Sequence, residues 1–379
     1  MDFNLTEEQL MIQQAARDFA QNELLPEVIE RDKNQKFPEE QVKKMGELGF
    51  LSMMVDPKYG GAGMDSVSYV LAMEEIAKVD ASAAVIMSVN NSLVCAGLEK
   101  YASEEQKQKY LVPLASGEVI GAFALSEPEA GSDATSQKTT AEDKGDYYLL
   151  NGTKNWITNG STATYYIVIA QTHPEKGHKG INAFIVERGW EGFEIGPKED
   201  KMGIRGSDTH SLLFTDVKVP KENRIGEDGF GFKFAMAVLN GGRIGIASQA
   251  LGIASGAYEL ALKYAKERKA FGTEIINHQA VAFKLADMAT QITAARMLCL
   301  KAAAEKDHGK DISESGAMAK LFASKTAMDT TVEAVQIHGG YGYVREYHVE
   351  RMMRDAKITQ IYEGTSEIQK IVISRSIAK

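Results

Sequence analysis

The chain has 379 residues, including 34 Gly, 8 Pro and 2 Cys, and its formal net charge is −9. Average usage predicts roughly 27 Gly and roughly 19 Pro at this length, so glycine is in excess without proline, which excludes collagen-like and low-complexity disordered chains. Cys95 and Cys299 are isolated, which excludes a disulfide framework and a zinc–thiolate site, and the acidic balance argues against a nucleic-acid-binding protein.

The first residues and the hydropathy pattern bear on where the protein works. Residues 1–20 lack the basic region and the apolar run of a signal peptide, and no stretch approaches 18 consecutive apolar residues. We therefore expect no membrane span. Two unpaired thiols suit a reducing compartment. We expect a bacterial cytoplasmic protein, although a processed protein of the mitochondrial matrix has the same features.

The first third of the chain has helical periodicity. Thr6 and Gln9 have capping-box spacing, and apolar residues follow at helical intervals. Ser103 and Gln106 repeat that spacing. The predicted helices after the first cover residues 38–49, 66–79, 81–100 and 103–116.

After the helical first third, the sequence pattern changes to β-type runs. Asn151-Gly152 predicts a hairpin, because a type I′ turn needs positive φ. No helical pattern separates the runs, so we expect an antiparallel or barrel-like unit rather than a parallel sheet. The runs cover residues 147–150, 154–157, 165–170, 183–186 and 212–219.

From about residue 230 the helical period returns, and the proline-free residues 232–268 predict one very long helix. Glycine in a helix costs up to ~1 kcal/mol against Ala, so the glycines here need compensating contacts. Gly241 and Gly242 favour backbone approach to a ligand. The glycines that share one face, which favours close helix packing, are Gly245, Gly252 and Gly256. Further helices are predicted over residues 277–305, 313–337 and from 366.

Common catalytic and nucleotide-binding motifs are absent from the sequence. It has no G-x-G-x-x-G, no Walker A, no G-x-S-x-G and no H-E-x-x-H motif. The seven His are scattered, and we interpret His210, His278 and His338 as structural, so no metal site is predicted. Without a metal, a triad or a P-loop, demanding chemistry requires an organic cofactor.

Two segments of the β-type region carry polar groups suited to a planar ligand. The loop in residues 123–133 contains Ser126 and Ser132, and its backbone N–H groups suit a polar ring or a phosphate; an ordinary capped turn is the alternative. Trp156 is either one wall of the ligand site, with Thr158 as a hydrogen-bond donor, or a core residue.

Three segments in the last third of the chain contain charged residues or glycines that suit a ligand site. Arg268 suits a phosphate or is a solvated helix end. Gly339 and Gly340 allow a backbone to approach a pyrophosphate and also suit a helix C-cap. Glu363 lies among apolar and small residues just before a predicted helix. Burial beside an apolar ligand raises the pKa of such a carboxyl and makes it a base near neutral pH; at a helix start it interacts with the dipole instead.

Taken in order, these segments resemble the acyl-CoA dehydrogenase family along essentially the whole chain, and most closely its short-chain (butyryl-CoA) members. Each motif is modest alone, but their order and spacing are specific. The motifs that carry the resemblance are Ile-Met-Ser-Val-Asn-Asn-Ser-Leu (86–93), Ala-Leu-Ser-Glu-Pro (124–128), Gly-Ile-Arg-Gly (203–206), Gly-Arg-Ile-Gly-Ile-Ala-Ser-Gln (242–249) and Ile-Tyr-Glu-Gly-Thr-Ser-Glu (361–367).

The resemblance implies a mainly α fold with a central β domain. It implies FAD between the middle and C-terminal domains, in a homotetramer built as a dimer of dimers. The three implied domains are an N-terminal α-helical domain (1–118), a β-barrel-like middle domain (119–228) and a C-terminal four-helix bundle (229–379).

The resemblance also assigns roles to individual residues. The residues implied to hold the flavin are Phe123, Leu125, Ser126, Gly131, Ser132, Trp156 and Thr158. Those implied to contact FAD from a neighbouring subunit are Arg268, Phe271, Gln279, Gln336, Gly339 and Gly340. Thr365 and Glu367 complete the cofactor site. The residues implied to contact the acyl-CoA are Ser132, Asn240, Arg243 and Gly364.

Glu363 matches the family's catalytic base. It is implied to remove the pro-R α-proton of the thioester while the β-hydrogen leaves as hydride to flavin N5, which gives a trans-2-enoyl-CoA. The backbone N–H of the base and the ribityl 2′-hydroxyl of FAD are implied to polarise the thioester carbonyl. The reduced flavin is expected to pass its electrons to an electron-transfer flavoprotein.

Four features refine the subgroup. Some branched-chain relatives place the base at the position of Gly242, which cannot serve here. Glutaryl-type relatives need a cation on the helix covering residues 81–98, which contains no Lys or Arg. Asn240 stands where many relatives have Asp, and Glu129 stands where a Gly is common in the flavin loop.

Three other functions stay open at this point. They are an acyl-CoA oxidase of the same fold that uses O2, a branched-chain acyl-CoA dehydrogenase, and a flavoprotein relative that serves as a scaffold or binds nucleic acid. The −9 charge and the intact Glu363 argue against the last. Acyl chain length depends on pocket depth, which spacing does not give.

Overall fold

Short helices form the first part of the chain in the computed structural model, which describes residues 4–378. Both predicted capping boxes are present, at Thr6 with Gln9 and at Ser103 with Gln106. The helices are α1 (Glu7–Phe19), α2 (Val28–Asn34), α3 (Glu39–Glu47), α4 (Ser66–Val79), α5 (Ala81–Ser88), α6 (Ala96–Tyr101), α7 (Glu104–Gln106) and α8 (Val112–Ala115). The π-helical turns between them are Ala20–Leu24, Val89–Cys95 and Lys107–Leu111.

The predicted helix over residues 81–100 is continuous but irregular. α5 passes through the π turn Val89–Cys95 into α6, and such turns are frequent at functional sites. Asn91 in this turn is buried and donates to the Phe50 carbonyl at 2.7 Å. By length and composition Ala81–Tyr101 is apolar enough to cross a membrane, but 94% of its most apolar window is buried inside the protein. The protein itself therefore covers this apolar surface.

A seven-stranded sheet forms the middle of the described chain. Its strands are β1 (Gly121–Ala124), β2 (Thr140–Asp143), β3 (Tyr147–Thr158), β4 (Tyr165–Gln171), β5 (Ile181–Glu187), β6 (Phe193–Lys198) and β7 (Thr209–Pro220). Their order is β1-β4-β2-β3-β7-β6, with β5 paired to β4. Most pairs are antiparallel, as predicted, but β1 and β2 run parallel to β4. The sheet has its own apolar core, which includes Tyr148, Tyr166 and Phe184.

The hairpin predicted at Asn151-Gly152 is wrong. β3 runs without a break through this dipeptide, and its register against β7 shifts between Leu150 and Gly152. Gly152 has φ +144°, and a Cβ there would lie 2.6 Å from Thr139 Oγ1. The glycine therefore serves a β-bulge rather than a turn, because β7 pairs with both halves of β3.

The long helices predicted for the last third are confirmed. α9 (Gly231–Glu267), α10 (Gln279–Asp307) and α11 (Ser313–His338) pack on one another, and α12 (His348–Ile358) and α13 (Ser366–Ile377) pack on α11. The two-residue strands β8 (Lys269–Ala270) and β9 (Thr273–Glu274) lie between α9 and α10. The fold class, mainly α with a central β unit, is the predicted one.

The glycines on one face of α9 allow the close packing that their spacing predicts. A Cβ at Gly252 would lie 2.5 Å from the Glu74 carbonyl oxygen of α4, and one at Gly256 would lie 2.4 Å from the Lys78 carbonyl oxygen. A Cβ at Gly245 would lie 2.4 Å from Ser88 Oγ. Contact between α9 and its neighbours therefore offsets the low helix propensity of these glycines.

Gly252→Ala is expected to destabilise the protein by about 1–3 kcal/mol, because the added methyl group meets backbone and cannot be accommodated by a side-chain movement. Gly316→Ala on α11 is the matched control. Its nearest neighbour is 3.4 Å away, an ordinary contact. Urea unfolding of both variants measures the difference. Equal stability of the two variants would contradict the packing explanation.

Ion pairs and hydrogen bonds join the three parts of the structure near α12. Arg354 on α12 donates to Asp32 of α2 at 2.7 Å and to the Met202 carbonyl at 3.1 Å. Asp355 accepts the backbone N–H of Ile204 at 2.5 Å. Both ends of the segment between α12 and α13 are thus fixed, because α12 is tied to the helical and β parts and α13 packs on α11.

Candidate active site

Glu363 lies in the turn between α12 and α13. Its φ is +52°, and Gly364 follows with φ +95°. A non-glycine residue in this region is strained, and such strain is concentrated at functional sites. Thr365 caps α13 by accepting the Ile368 N–H at 3.3 Å. Thr365, not Glu363, therefore caps the helix start.

The Glu363 carboxylate lies directly against Gly242 of α9. A Cβ at position 242 would be 2.1 Å from Glu363 Oε2 and 2.8 Å from Leu93 Cδ2. Oε2 is buried and has no hydrogen-bond partner among the described residues, although the residue as a whole is half-buried. Burial raises the pKa of Glu363 to about 7, against the opposing effect of Lys320 and Arg243. The group therefore has the acidity of a base that works at neutral pH.

Two buried cations face this carboxylate. Lys320 on α11 is fully buried and donates to the Gly364 carbonyl at 2.6 Å. Arg243 on α9 donates to Asn240 Oδ1 at 2.7 Å, and Asn240 donates to Ser313 Oγ at 3.0 Å. Burial lowers the pKa of both cations, that of Lys320 to about 8. The structure thus places the predicted substrate residues Arg243 and Gly364 beside Glu363, with Asn240 bonded to Arg243.

A tyrosine lies on the side of α9 that carries Gly245. Tyr69 of α4 is buried and its hydroxyl bonds to Ser92 Oγ at 3.0 Å. Burial raises the pKa of Tyr69 to about 12. Because the hydroxyl would lie 2.6 Å from a Cβ at Gly245, it fills the space one helical turn beyond Gly242.

Glu363→Gln is expected to stabilise the protein more at pH 8 than at pH 5. The folded-state pKa of about 7 lies above the usual value, so the protonated carboxyl stabilises the fold below pH 4.5 and this contribution is lost as the pH rises through 7. A shift of this size corresponds to about 3 kcal/mol above pH 7. Urea unfolding at both pH values measures it, with Glu259→Gln on the exposed face of α9 as the control. An equal effect at both pH values would contradict the raised pKa.

The first two predicted segments meet beside the sheet. The Asn155 N–H donates to the Ser126 carbonyl at 2.9 Å. Lys154, which is fully buried, donates to the Leu125 carbonyl at 2.9 Å and to Glu127 Oε1 at 2.8 Å. A buried ion pair therefore holds the loop that begins at Phe123 against the strand that carries Trp156.

Trp156 occupies a second bulge of β3. Its φ is +57°, the register against β7 shifts between Lys154 and Ile157, and the residue is 55% exposed. Bulges re-aim side chains beside active sites. The buried carboxylate of Asp208 holds the following turn by accepting the N–H groups of Ser161 and Thr162. The core interpretation of Trp156 is wrong, since its ring lies at the surface, next to the half-buried Thr158.

A second group of predicted residues lies at the C-terminal ends of α9 and α11. Arg268, Gly339 and Gly340 line one cavity of about 510 Å³, and a Cβ on either glycine would meet open space. The Arg268 guanidinium lies over the Tyr341 ring at 5.9 Å and has no carboxylate within 4.0 Å among residues 4–378. An unpaired cation beside accessible backbone suits an anionic ligand.

The remaining predicted residues of this group are exposed, and Phe271 is 97% exposed with φ +54°. Gln279 begins α10 and Gln336 lies near the end of α11. No described contact joins Arg268, Phe271 or the two glutamines to Glu363. Thr365 and Glu367 lie at a separate groove of about 850 Å³ between α11 and α13. The loop residues Gly131 and Ser132 are exposed and have no described contact with Glu363 either.

The three histidines interpreted as structural each bond a backbone carbonyl. The partners of His210, His278 and His338 are 2.8, 3.1 and 2.7 Å away. Among residues 4–378, no group of three or more His, Cys, Asp or Glu is arranged to hold a metal ion.

Sequence reasoning missed four buried residues that hold these segments: Lys320, Lys154, Glu127 and Asp208. Lys320 interrupts a stripe of small residues on α11, which includes Ala319 and Ala323, and this was the available signal. Lys154 shares the alternation of Tyr148 and Leu150, which face the core. A charge at a core-facing position is informative because burial without a partner is costly.

Three family models match consecutive parts of the chain. They are described as the N-terminal, middle and C-terminal domains of acyl-CoA dehydrogenase, and they match residues 6–118, 122–217 and 229–378. A short-chain specific acyl-CoA dehydrogenase of Clostridium acetobutylicum is 52% identical over 377 residues, covering 100% of both chains.

Two solved structures have nearly the same backbone. The butyryl-CoA dehydrogenase of Megasphaera elsdenii has a TM-score of 0.99 with 50% identity, and 100% of each chain is covered. A chain from a structure described as the electron transferring flavoprotein of Acidaminococcus fermentans, in work on flavin-based electron bifurcation, has a TM-score of 0.99 with 53% identity and the same coverage.

Proposed function

The chain belongs to the acyl-CoA dehydrogenase family, and from that premise we propose that it converts a short-chain acyl-CoA, such as butyryl-CoA, to the trans-2-enoyl-CoA. The electrons pass to an electron-transfer flavoprotein. The observation that carries the proposal is the Glu363 carboxylate, whose buried and unpartnered Oε2 lies against Gly242. It is a buried base whose raised pKa suits it to accept an α-proton.

The cofactor of this reaction is FAD, and the described residues fit it. The exposed ring of Trp156, the backbone of the loop that Lys154 anchors and the unpaired Arg268 beside open glycines suit a flavin, its polar edge and a pyrophosphate. The residues that would hold the flavin are Phe123, Leu125, Ser126, Gly131, Ser132, Trp156 and Thr158. Thr365 and Glu367 would complete the site. When bound, FAD supplies the hydride acceptor that the reaction requires.

The protein's own part in the reaction is to hold the thioester and move one proton. The α-proton goes to Glu363, whose pKa near 7 lets it accept at neutral pH without binding the proton permanently. The backbone N–H of Glu363 donates to no acceptor within residues 4–378, so it is free to donate to the thioester carbonyl. Polarisation of the thioester carbonyl by this N–H stabilises the charge that develops as the α-proton leaves. Arg243 and Asn240 face the substrate from α9.

The exposure of the second group of cofactor residues supports an oligomeric assembly. We assign Arg268, Phe271, Gln279, Gln336, Gly339 and Gly340 to FAD of a neighbouring subunit, in a homotetramer whose subunits have domains at residues 1–118, 119–228 and 229–379. An exposed phenylalanine and an unpaired arginine are what such an assembly would cover.

The free thiols of Cys95 and Cys299 fit a reducing compartment, and we place the enzyme in the bacterial cytoplasm.

Two side chains near Glu363 support a short acyl chain. Leu93 lies near Gly242 and Tyr69 near Gly245, and we propose that they limit the length of the acyl chain beside α9. The helix opposite, from Ala81 to Leu98, offers no Lys or Arg to a second carboxylate. Both features support a monocarboxylic substrate of about four carbons.

The test is a substrate series on the purified yellow protein. Under anaerobic conditions we expect butyryl-CoA to bleach the flavin absorbance, and kcat/KM to fall from C4 to C12 acyl-CoA. Isovaleryl-CoA and glutaryl-CoA are the controls for branching and for a second carboxylate. No bleaching by any acyl-CoA would overturn the proposed function, and stoichiometric peroxide release in air would assign an oxidase instead.

A further inference from the structure

Lys320 is a fully buried lysine without a carboxylate partner. It lies in the middle of α11, and no carboxylate oxygen among the described residues is within 4.0 Å of its Nζ. The hydrogen bond that the ammonium makes goes to the Gly364 carbonyl at 2.6 Å. Burying an ammonium without a carboxylate partner is costly. A lysine at this position must therefore have a role that a neutral residue could not fill.

The carbonyl that Lys320 holds belongs to the residue after Glu363. Gln369 Nε2 donates to the same oxygen at 2.8 Å and to the Glu363 carbonyl at 3.3 Å. Two donors thus fix the peptide that follows Gly364, directly after two residues of positive φ, Glu363 at +52° and Gly364 at +95°. These contacts keep the strained turn in the one conformation that places the Glu363 carboxylate against Gly242.

The charge of Lys320 acts on that same carboxylate. The titratable and charged groups around Glu363 are Lys320 from α11, Arg243 from α9, Tyr69 from α4 and Tyr362 in its own turn. Lys320 in turn is affected by Glu363, Arg243 and Glu367. Arg243 donates to the neutral amide of Asn240 and Lys320 to a backbone carbonyl, so neither charge is neutralised by a carboxylate in contact among the described residues. A cation in a buried site acts strongly on a nearby carboxylate because water does not screen it.

We propose that Lys320 is a positioning residue for Glu363: its ammonium holds the Gly364 carbonyl, which fixes the turn that carries the base, and its charge stabilises the carboxylate form. This inference rests on the proposed function, in which Glu363 is the base. It concerns a residue that we assign to neither the substrate site nor the cofactor site.

Two substitutions separate the hydrogen bond from the charge. Lys320→Gln keeps a donor and removes the charge, whereas Lys320→Met removes both. The rate constant kcat/KM rises with pH as the base of the free enzyme ionises, and we expect this limb to move upward by about one pH unit in both variants. We expect Lys320→Met to lose about a further tenfold on the high-pH plateau, because the turn loses one of its two donors.

Three controls make the result specific. Lys301→Met removes an exposed lysine of α10 that pairs with Glu305, and its pH profile should be that of the wild type. Lys320→Arg restores the charge and should return the limb toward its wild-type position. The carboxyl band of Glu363, taken as the infrared difference between wild type and Glu363→Gln, should titrate at higher pH in the Lys320→Gln background without any turnover.

The outcomes distinguish the inference from the proposed function. Wild-type pH limbs and an unshifted carboxyl band in the Lys320→Gln variant would overturn the role of Lys320. A wild-type protein that does not bleach with acyl-CoA would overturn the function, and the infrared titration would still decide the role of Lys320. If Lys320→Met does not fold, as judged by circular dichroism, the Gln and Arg variants decide it.

Discussion

Glu363→Gln is expected to lower kcat and kcat/KM for butyryl-CoA by about 10²–10⁴-fold, the usual contribution of a positioned general base. The amide has the size and shape of the carboxyl, so the packing of the side chain against Gly242 survives. It cannot accept the α-proton. Anaerobic stopped-flow bleaching of the flavin by butyryl-CoA measures the loss directly, because it reports the chemical step before electrons leave the enzyme.

The control for this loss is Glu259→Gln. Glu259 lies on α9, is largely exposed and pairs with Lys78 at 3.0 Å, so its removal should leave bleaching unchanged. The flavin spectrum of Glu363→Gln should also be retained, since Glu363 is not among the residues assigned to the flavin. A variant with more than about a tenth of wild-type activity would show that another group takes the proton.

The sequence predicts the elements better than it predicts which of them meet. Periodicity predicts the ends of α9, α10 and α11 to within a few residues, because the apolar period of a helix depends on residues that are close in the sequence. The surroundings of Glu363 are not local: Lys320 and Arg243 come from two other helices, and no spacing rule links them to the turn. The resemblance to a family identified Glu363 and Arg243. The break in the small-residue stripe of α11 marks Lys320 as unusual, but its link to the Gly364 carbonyl depends on how α11 packs against α13.

Asn151-Gly152 shows the complementary failure. The dipeptide supplies positive φ, which a type I′ turn and a β-bulge both use. A bulge forms here because β7 pairs with β3 on both sides of the glycine. A signal for backbone conformation is therefore not a signal for chain reversal. The same strand has a second bulge at Trp156. No glycine lies at that position, so the sequence does not predict this bulge.

Lys154→Met is expected to destabilise the protein by about 3–5 kcal/mol, because it leaves Glu127 buried without its cation. Both side chains are almost fully buried, and Lys154 also donates to the Leu125 carbonyl and to Gln137 Oε1 at 3.0 Å. Burial lowers the pKa of Lys154 to about 8, whereas attraction to Lys154 holds the pKa of Glu127 below its usual value despite burial. We also expect weaker retention of FAD, since the loop that this pair anchors is assigned to the flavin. Urea unfolding and the flavin content of the purified protein are the measurements.

The double variant Glu127→Gln/Lys154→Met tests the cause. Replacing the carboxylate as well removes the uncompensated charge. The Lys138 and Thr139 N–H groups bond to different oxygens of Glu127, at 2.5 and 3.0 Å, and the single amide oxygen of the glutamine can still accept one of them. We therefore expect it to recover more than half of the lost stability. Lys144→Met, at an exposed pair with Glu142, should cost less than about 1 kcal/mol. A double variant no more stable than Lys154→Met would mean that packing of the lysine stem, rather than the buried charge, holds the flavin loop in place.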